Sequence, residues 1–155
     1  MMGVGAAAAT LPAMDLDEWV DSAPAAMRES PMWKVRVYQI GVFVAGLAAE
    51  DATALEGRPR FRETAVQLVR AAGSIAATVA EGYSRQSRRD RIRYYEYALG
   101  SAREATTWYA TIAVTMPPDA LAHRLTLLSR ACQLLLTMIR NERTSAARNF
   151  TKRLP

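Results

Sequence analysis

Five arginines within nine residues, Arg85, Arg88, Arg89, Arg91 and Arg93, form the densest group of chemistry-bearing side chains in the chain. Guanidiniums bind phosphate through paired, charge-assisted hydrogen bonds. Ser87, just ahead of Arg88, reads as a helix start, and the free amides of a helix start also favour anions. Positive charge at that end opposes the helix dipole, so packing alone gives no reason to place five arginines there. The group is the candidate surface for RNA or single-stranded DNA. The competing reading is a solvated turn whose arginines pair with Glu81, Asp90, Glu96 or a neighbour's acids.

The inventory of reactive groups is otherwise thin. One histidine, His123, and one cysteine, Cys132, leave no partner for a Ser/Cys–His arrangement, a disulfide or a metal cluster. His123 is expected to be a solvent-facing helix residue and Cys132, next to Leu134–Leu136, a small buried hydrophobe. Glu81, at the end of a helix, is expected to pair with Arg70, Arg85 or Arg103 rather than act as a base, because no second acid or histidine accompanies it. The sequence therefore predicts no catalytic residue, no metal and no cofactor.

The 155 residues are 50% hydrophobic and 23% charged, enough for one folded domain with one core. Charge is unevenly spread. Residues 1–57 hold eight acids against Arg28, Lys34 and Arg36, whereas residues 58–155 hold seven acids against seventeen bases. Such asymmetry suits a polyanion partner, or an acidic arm folded over a basic body. The start of the chain, Met1–Thr10, is small and alanine-rich without the charged and apolar regions of a secretory signal, which fits a cytoplasmic protein. Residues 1–29 read as a disordered or loosely docked acidic arm, 30–148 as the folded body and 149–155 as a basic tail. Within the arm, Leu16, Trp19 and Val20 have the spacing of one amphipathic turn. Asp15–Asp21 could lie over the arginines and screen them.

Four helical stripes follow. Ser30–Pro31 opens the first, with Trp33, Val37, Ile40, Val44 and Leu47 alternating by four and three. Tyr38, Val42, Phe43, Ala45 and Ala49 widen that stripe, yet Arg36, Gln39 and Glu50 keep it too short to span a membrane. A helix apolar on two sides faces its own core and a neighbouring subunit, with Trp33, Val37, Tyr38 and Phe43 as the interface. The second helix is expected over 62–81, with Gly82 as a left-handed stop. Ser87 and Asp90 resemble a capping box opening the third, striped by Ile92, Tyr95, Leu99, Ala102, Thr106, Tyr109 and Ala113. Pro117–Pro118 separates it from the fourth, striped by Leu121, Leu125, Leu128, Cys132, Leu135 and Ile139. The expected fold is all-α, an antiparallel up-down four-helix bundle.

Some residues sit between structural and functional readings. Tyr94, Tyr95, Tyr97, Trp108 and Tyr109 could stack on bases, but their helical spacing assigns most to core or interface; Tyr97 and Tyr83 are the two to test. Gly73, Ala77, Gly100 and Ser101 are small enough to bring the second and third helices close together.

The stretch from Arg70 to Glu104 resembles a known family. Arg70–Ala71–Ala72–Gly73–Ser74–Ile75 is followed by Thr78–Val79–Ala80–Glu81–Gly82, then Arg85 and Ser87, the pair Tyr94–Tyr95, and Ala98–Leu99–Gly100–Ser101–Ala102–Arg103–Glu104. This pattern is similar to that of the small helical proteins of bacterial 23S rRNA intervening sequences, a family related to the accessory variability protein of diversity-generating retroelements. Thr78 stands where the family has asparagine, and Arg91 where an apolar or aromatic residue is usual. The resemblance implies a homopentameric ring without catalytic activity, in which Arg70, Ser74, Glu81, Gly82, Gly100, Ser101 and Glu104 are structural. In the retroelement branch it implies that the ring binds a reverse transcriptase and its template RNA.

Overall fold

The computed structural model describes residues 14–151, with side chains as far as Thr144. The alanine-rich start and the last four residues lie outside that range. The order is α1 (Leu16–Ser22), α2 (Ala25–Arg28), a 3-10 turn (Pro31–Lys34), α3 (Arg36–Thr53), a second 3-10 turn (Pro59–Phe61), α4 (Arg62–Tyr83), α5 (Arg88–Ile112), a third 3-10 turn (Ala113–Thr115) and α6 (Pro118–Thr151). No strand occurs among the described residues, so the fold is all-helical. No described helix is long and apolar enough to cross a membrane.

The four long helices pack around one apolar core, α3 against α4 and α6, and α5 against the same two. Ile40, Val44, Leu47, Leu68, Ile75, Leu128 and Leu135 are fully buried. Each such side chain contributes about 1.5–3 kcal/mol relative to exposure. α6 continues to Thr151, past the 149–155 boundary expected for a tail. No proline or glycine interrupts it between Asp119 and Thr151.

Two expectations about the first sixty residues are corrected. Ser30–Pro31 opens only the first 3-10 turn; Val35 is extended and the long helix begins at Arg36. Gln39 Nε2 donates to the Trp33 carbonyl at 2.6 Å, pinning the break. The break folds Trp33 beneath α1, where Trp19 lies 5.4 Å from it and 5.1 Å from Phe43. Consequently Trp33, Val37 and Phe43 are 6%, 1% and 1% exposed inside their own chain, and Tyr38 is half-buried on the same core. Trp33, Val37 and Phe43 therefore serve their own core rather than a neighbouring subunit, and Tyr38 keeps part of its surface.

The arm is not loosely docked where it is described. Asp15 and Glu18 form a reciprocal capping box at the start of α1, and Leu16 and Ala23 are buried. Asp17 pairs with Arg36. Asp15–Asp21 therefore lies along α3 and makes no ion pair with Arg85–Arg93 among the described residues.

Gly82 is also reassigned. It lies inside α4 and is buried, and Gly57 is the one glycine with positive φ among the described residues. A Cβ on Gly82 would sit 2.8 Å from Tyr94 Cβ and 2.9 Å from Tyr95 Cε1, so the missing side chain sets the α4–α5 spacing. Gly73 and Gly100 do not, since a Cβ on either meets nothing within 4 Å. The other close approach is α3 to α4, where Gly41 faces the Ala76 backbone.

At the opposite end, a buried charge network ties three helices together. Arg124 of α6 grips Asp51 of α3, and Tyr109 of α5 donates to the same carboxylate at 2.8 Å. His123 is half-buried rather than solvent-facing, edge-on to Phe43, with Nδ1 3.0 Å from Arg124 Nη1. The guanidinium can only donate, so Nδ1 accepts and the ring is neutral. Burial first and the Arg124 charge second hold the His123 pKa below its ordinary value, against weaker upward pulls from Asp15 and Asp51. A depressed histidine stabilises the fold above the unfolded-state pKa of about 6.5, and that stability is lost as pH falls through the folded value. Urea unfolding followed from pH 7.5 to 5 should therefore show a loss that His123→Gln reduces. An identical acid profile in the variant would remove His123 as its source.

Candidate nucleic-acid interface

The turn between α4 and α5 brings the five arginines together and then divides them. Arg91 is bidentate to Glu142 of α6, at 3.0 Å and 3.1 Å, and its Nη1 donates to the carbonyls of Arg85 and Gln86. Arg88 faces the same carboxylate at 3.4 Å. These two clamp the turn to α6. Arg91 is thus a structural residue here, holding the turn to α6 through an ion pair. The pairing with Glu142 is its main support as a cation.

Arg85 pairs with Glu81 at 2.5 Å and donates to the Tyr94 hydroxyl at 2.9 Å. Of the three arginines considered for Glu81, the structure selects Arg85. Hydrogen bonding from Tyr94 first and Arg85 second holds the Glu81 carboxyl below the ordinary carboxylate range. The acid stays ionised as a structural partner.

The rest of the turn faces solvent. Arg85 lies 4.8 Å over the Tyr94 ring, and Arg93 is 5.7 Å from that ring and 5.8 Å from Tyr97. The two tyrosines meet edge to face at 6.0 Å. Helical spacing explains the order, since Tyr94 and Tyr97 are one turn apart on α5 and Arg93 lies beside both. Tyr97 is 54% exposed, and Tyr83, at the end of α4, is 47% exposed. Arg89 is exposed and has no ion pair among the described residues. Ser87 accepts from the Asp90 amide at 3.3 Å and fixes the start of α5 beneath these side chains.

The other motif residues do not converge here. Ser74 and Ser101 donate to the carbonyls of Arg70 and Tyr97, one helical turn back on their own helices. Glu104 accepts from Trp108 Nε1, and Arg70 is exposed on α4, far along the helix from the turn. Tyr95 and Tyr109 are buried, which removes them as stacking platforms. Burial pushes the half-buried Cys132 thiol upward, away from the thiolate. No group of three or more potential metal ligands occurs among the described residues.

Sequence reasoning singled out Tyr97 and Tyr83 but treated Tyr94 as mainly core. The available signal was the Arg93–Tyr94 adjacency with Tyr97 one turn on. The Arg85 contact crosses a loop and has no helical period.

Residues 51–116 match the family model described as "23S rRNA-intervening sequence protein". The chain is also similar in fold to a crystal structure of a protein of unknown function from the S23 ribosomal protein family of Bacteroides thetaiotaomicron. That likeness has a TM-score of 0.62 at 22% identity, and covers 66% of this chain and 97% of the other. No curated protein matches the chain.

Proposed function

We propose that the chain is a non-catalytic cytoplasmic adaptor that binds single-stranded nucleic acid through Arg85, Arg89, Arg93, Tyr94 and Tyr97. Its four long helices would form one antiparallel up-down bundle, and copies of it a ring, five in number by the resemblance to the intervening-sequence and retroelement proteins. The partner by that resemblance is RNA, with a reverse transcriptase as the enzyme recruited. The observation that carries the reading is Tyr97, more than half exposed beside Arg93. An exposed ring offers a base about 1–3 kcal/mol of sequence-tolerant stacking, and an adjacent guanidinium takes the phosphate. Repetition in a ring would multiply both.

Titration of labelled single-stranded RNA and DNA at several salt concentrations tests this. Log affinity should fall linearly with log salt. Arg89→Ala with Arg93→Ala should flatten the slope by about 1.4, two phosphate contacts at roughly 0.7 each. Tyr97→Ala should weaken binding by about 5- to 150-fold with little change in slope. Arg88→Ala should leave the slope unchanged and lower stability, because its charge is turned toward Glu142. Absence of binding at low salt would reject the reading.

The second reading is a structural oligomer or protein-binding scaffold without nucleic acid. It is favoured by the pairing of Arg85, Arg88 and Arg91 within the chain. An oligomer by light scattering that ignores RNA and DNA would select it.

A further inference from the structure

A groove of about 590 Å³ runs between the end of α3 and the start of α4, remote from the arginine–tyrosine stack. Its walls are apolar, formed chiefly by Ala52, Leu55, Ala65, Val66 and Val69. Val66 and Val69 are 49% and 38% exposed, large apolar side chains left uncovered on a helix whose opposite face is core. The groove exists because the chain turns back sharply between α3 and α4. Gly57, at φ +84, makes that reversal, and Pro59 starts the 3-10 turn leading into α4.

The charge around this apolar floor is one-sided. Arg58, Arg62 and Arg70 line it, against one acid, Glu56. All three arginines are exposed, and none makes an ion pair among the described residues. Arg58 and Arg62 both line the groove near the loop between α3 and α4. Arg70 lies eight residues along α4, about 12 Å away at 1.5 Å per residue. At Phe61 no side chain caps the first turn of α4, so that end of the helix adds partial positive charge near Arg62. An apolar trough of this volume with a few fixed charges is the usual form of a small-molecule site.

We propose that this groove binds a free, monomeric long-chain carboxylate. The carboxylate would lie between Arg58 and Arg62, and the aliphatic tail along Val66 and Val69 toward Arg70. Two features select this ligand: an apolar wall calls for a hydrocarbon body, and an arginine pair at one end, in excess over the single acid Glu56, calls for a single anionic head. The site is independent of the nucleic-acid reading, since no residue is shared.

Calorimetric titration of the full chain with dodecanoate, below its micelle concentration, is the test. Saturable binding at one site per chain is expected. Dodecyltrimethylammonium, with the same tail and the opposite charge, should bind at least tenfold more weakly, and acetate should not bind measurably. Arg58→Gln with Arg62→Gln should weaken dodecanoate about tenfold or more, as loss of charge-assisted hydrogen bonds implies. Val66→Asp, at an exposed position, should abolish binding without unfolding the chain. Equal binding of the two amphiphiles, unchanged affinity in both variants, or association only with anionic vesicles would overturn the proposal. So would failure of dodecanoate to bind, including the case in which a second copy of the chain fills the groove. RNA affinity unchanged by saturating dodecanoate would separate this site from the arginine–tyrosine surface; competition between the two would reject their independence.

Discussion

Arg124→Ala is expected to destabilise the chain by about 3–5 kcal/mol, the range for breaking a buried ion pair by removal of one partner. The Arg124 side chain is 2% exposed and that of Asp51 13%. Nε and Nη2 of Arg124 meet the two carboxylate oxygens at 3.1 Å and 3.3 Å. Without the guanidinium, a largely buried carboxylate keeps one neutral donor, the Tyr109 hydroxyl. That hydroxyl keeps its proton and remains a neutral donor. Burial first, and the Asp51 charge second, push its pKa far above the ordinary range. Three helices would lose their common tie at once, since Asp51, Tyr109 and Arg124 belong to α3, α5 and α6. Domains of this size are stable by about 5–15 kcal/mol in total, so the loss would be visible as a large fall in the urea midpoint. Asp51→Leu combined with Arg124→Met should cost less than Arg124→Ala alone, because an apolar replacement leaves no orphaned charge. A single-variant loss under about 1 kcal/mol would mean that water reaches the carboxylate and the pair is not a tie.

This network shows where the sequence could be read and where it could not. The first-helix stripe Val37, Ile40, Val44 and Leu47 is buried throughout, because large aliphatic residues at helical spacing mark a core face whatever surrounds them. On α6 the same logic chose Leu128, Leu135 and Ile139, which are buried, together with Leu121, Leu125 and Cys132, which are only half-buried. The fully buried face there adds Arg124 and Ala131 to Leu128 and Leu135. Arg124 was left off that face, since an arginine reads as solvent unless its acid is known. Asp51, in phase with Val44 and Leu47, was the missing half, and the two are 73 residues apart. Hydropathy along one helix cannot see a charge pair across two.

The turn was legible in the same partial way. Composition located the five arginines and exposed their conflict with the helix dipole, but gave no rule for dividing them. Glu142 makes the division, by binding Arg88 and Arg91 from a helix more than fifty residues downstream. Local charge counting treated all five as one surface. The structure leaves Arg89 and Arg93 outside any ion pair among the described residues, with Arg85 held against Tyr94. The helix-one residues fail for the opposite reason. Trp33 and Phe43 look surplus to one core until α1 is placed over them; the apolar turn of Leu16, Trp19 and Val20 is legible, but nothing in its local pattern says that it packs on α3.

Gly82→Ala is the substitution expected to join stability to binding. The new methyl would lie 2.8 Å from Tyr94 Cβ and 2.9 Å from Tyr95 Cε1. Tyr95 is 4% exposed and has no room to turn away. A clash with a Cβ is also not relieved by rotating a side chain, so α5 itself must move. Overpacking of this kind costs up to about 3 kcal/mol, offset by at most about 1 kcal/mol from the better helix propensity of alanine. A net loss of about 2 kcal/mol is therefore expected on urea unfolding. The displaced residue is Tyr94, whose ring both Arg85 and Arg93 approach. If that stack holds the nucleic acid, Gly82→Ala should weaken RNA binding as well, although the glycine is buried and presents no side chain to a ligand. Arg93→Ala makes the comparison: it should reduce binding while leaving the urea midpoint within about 0.5 kcal/mol of the parent. A Gly82→Ala chain as stable as the parent would show that the α4–α5 spacing yields. One that is destabilised yet binds RNA normally would detach the Tyr94 stack from the function proposed for it.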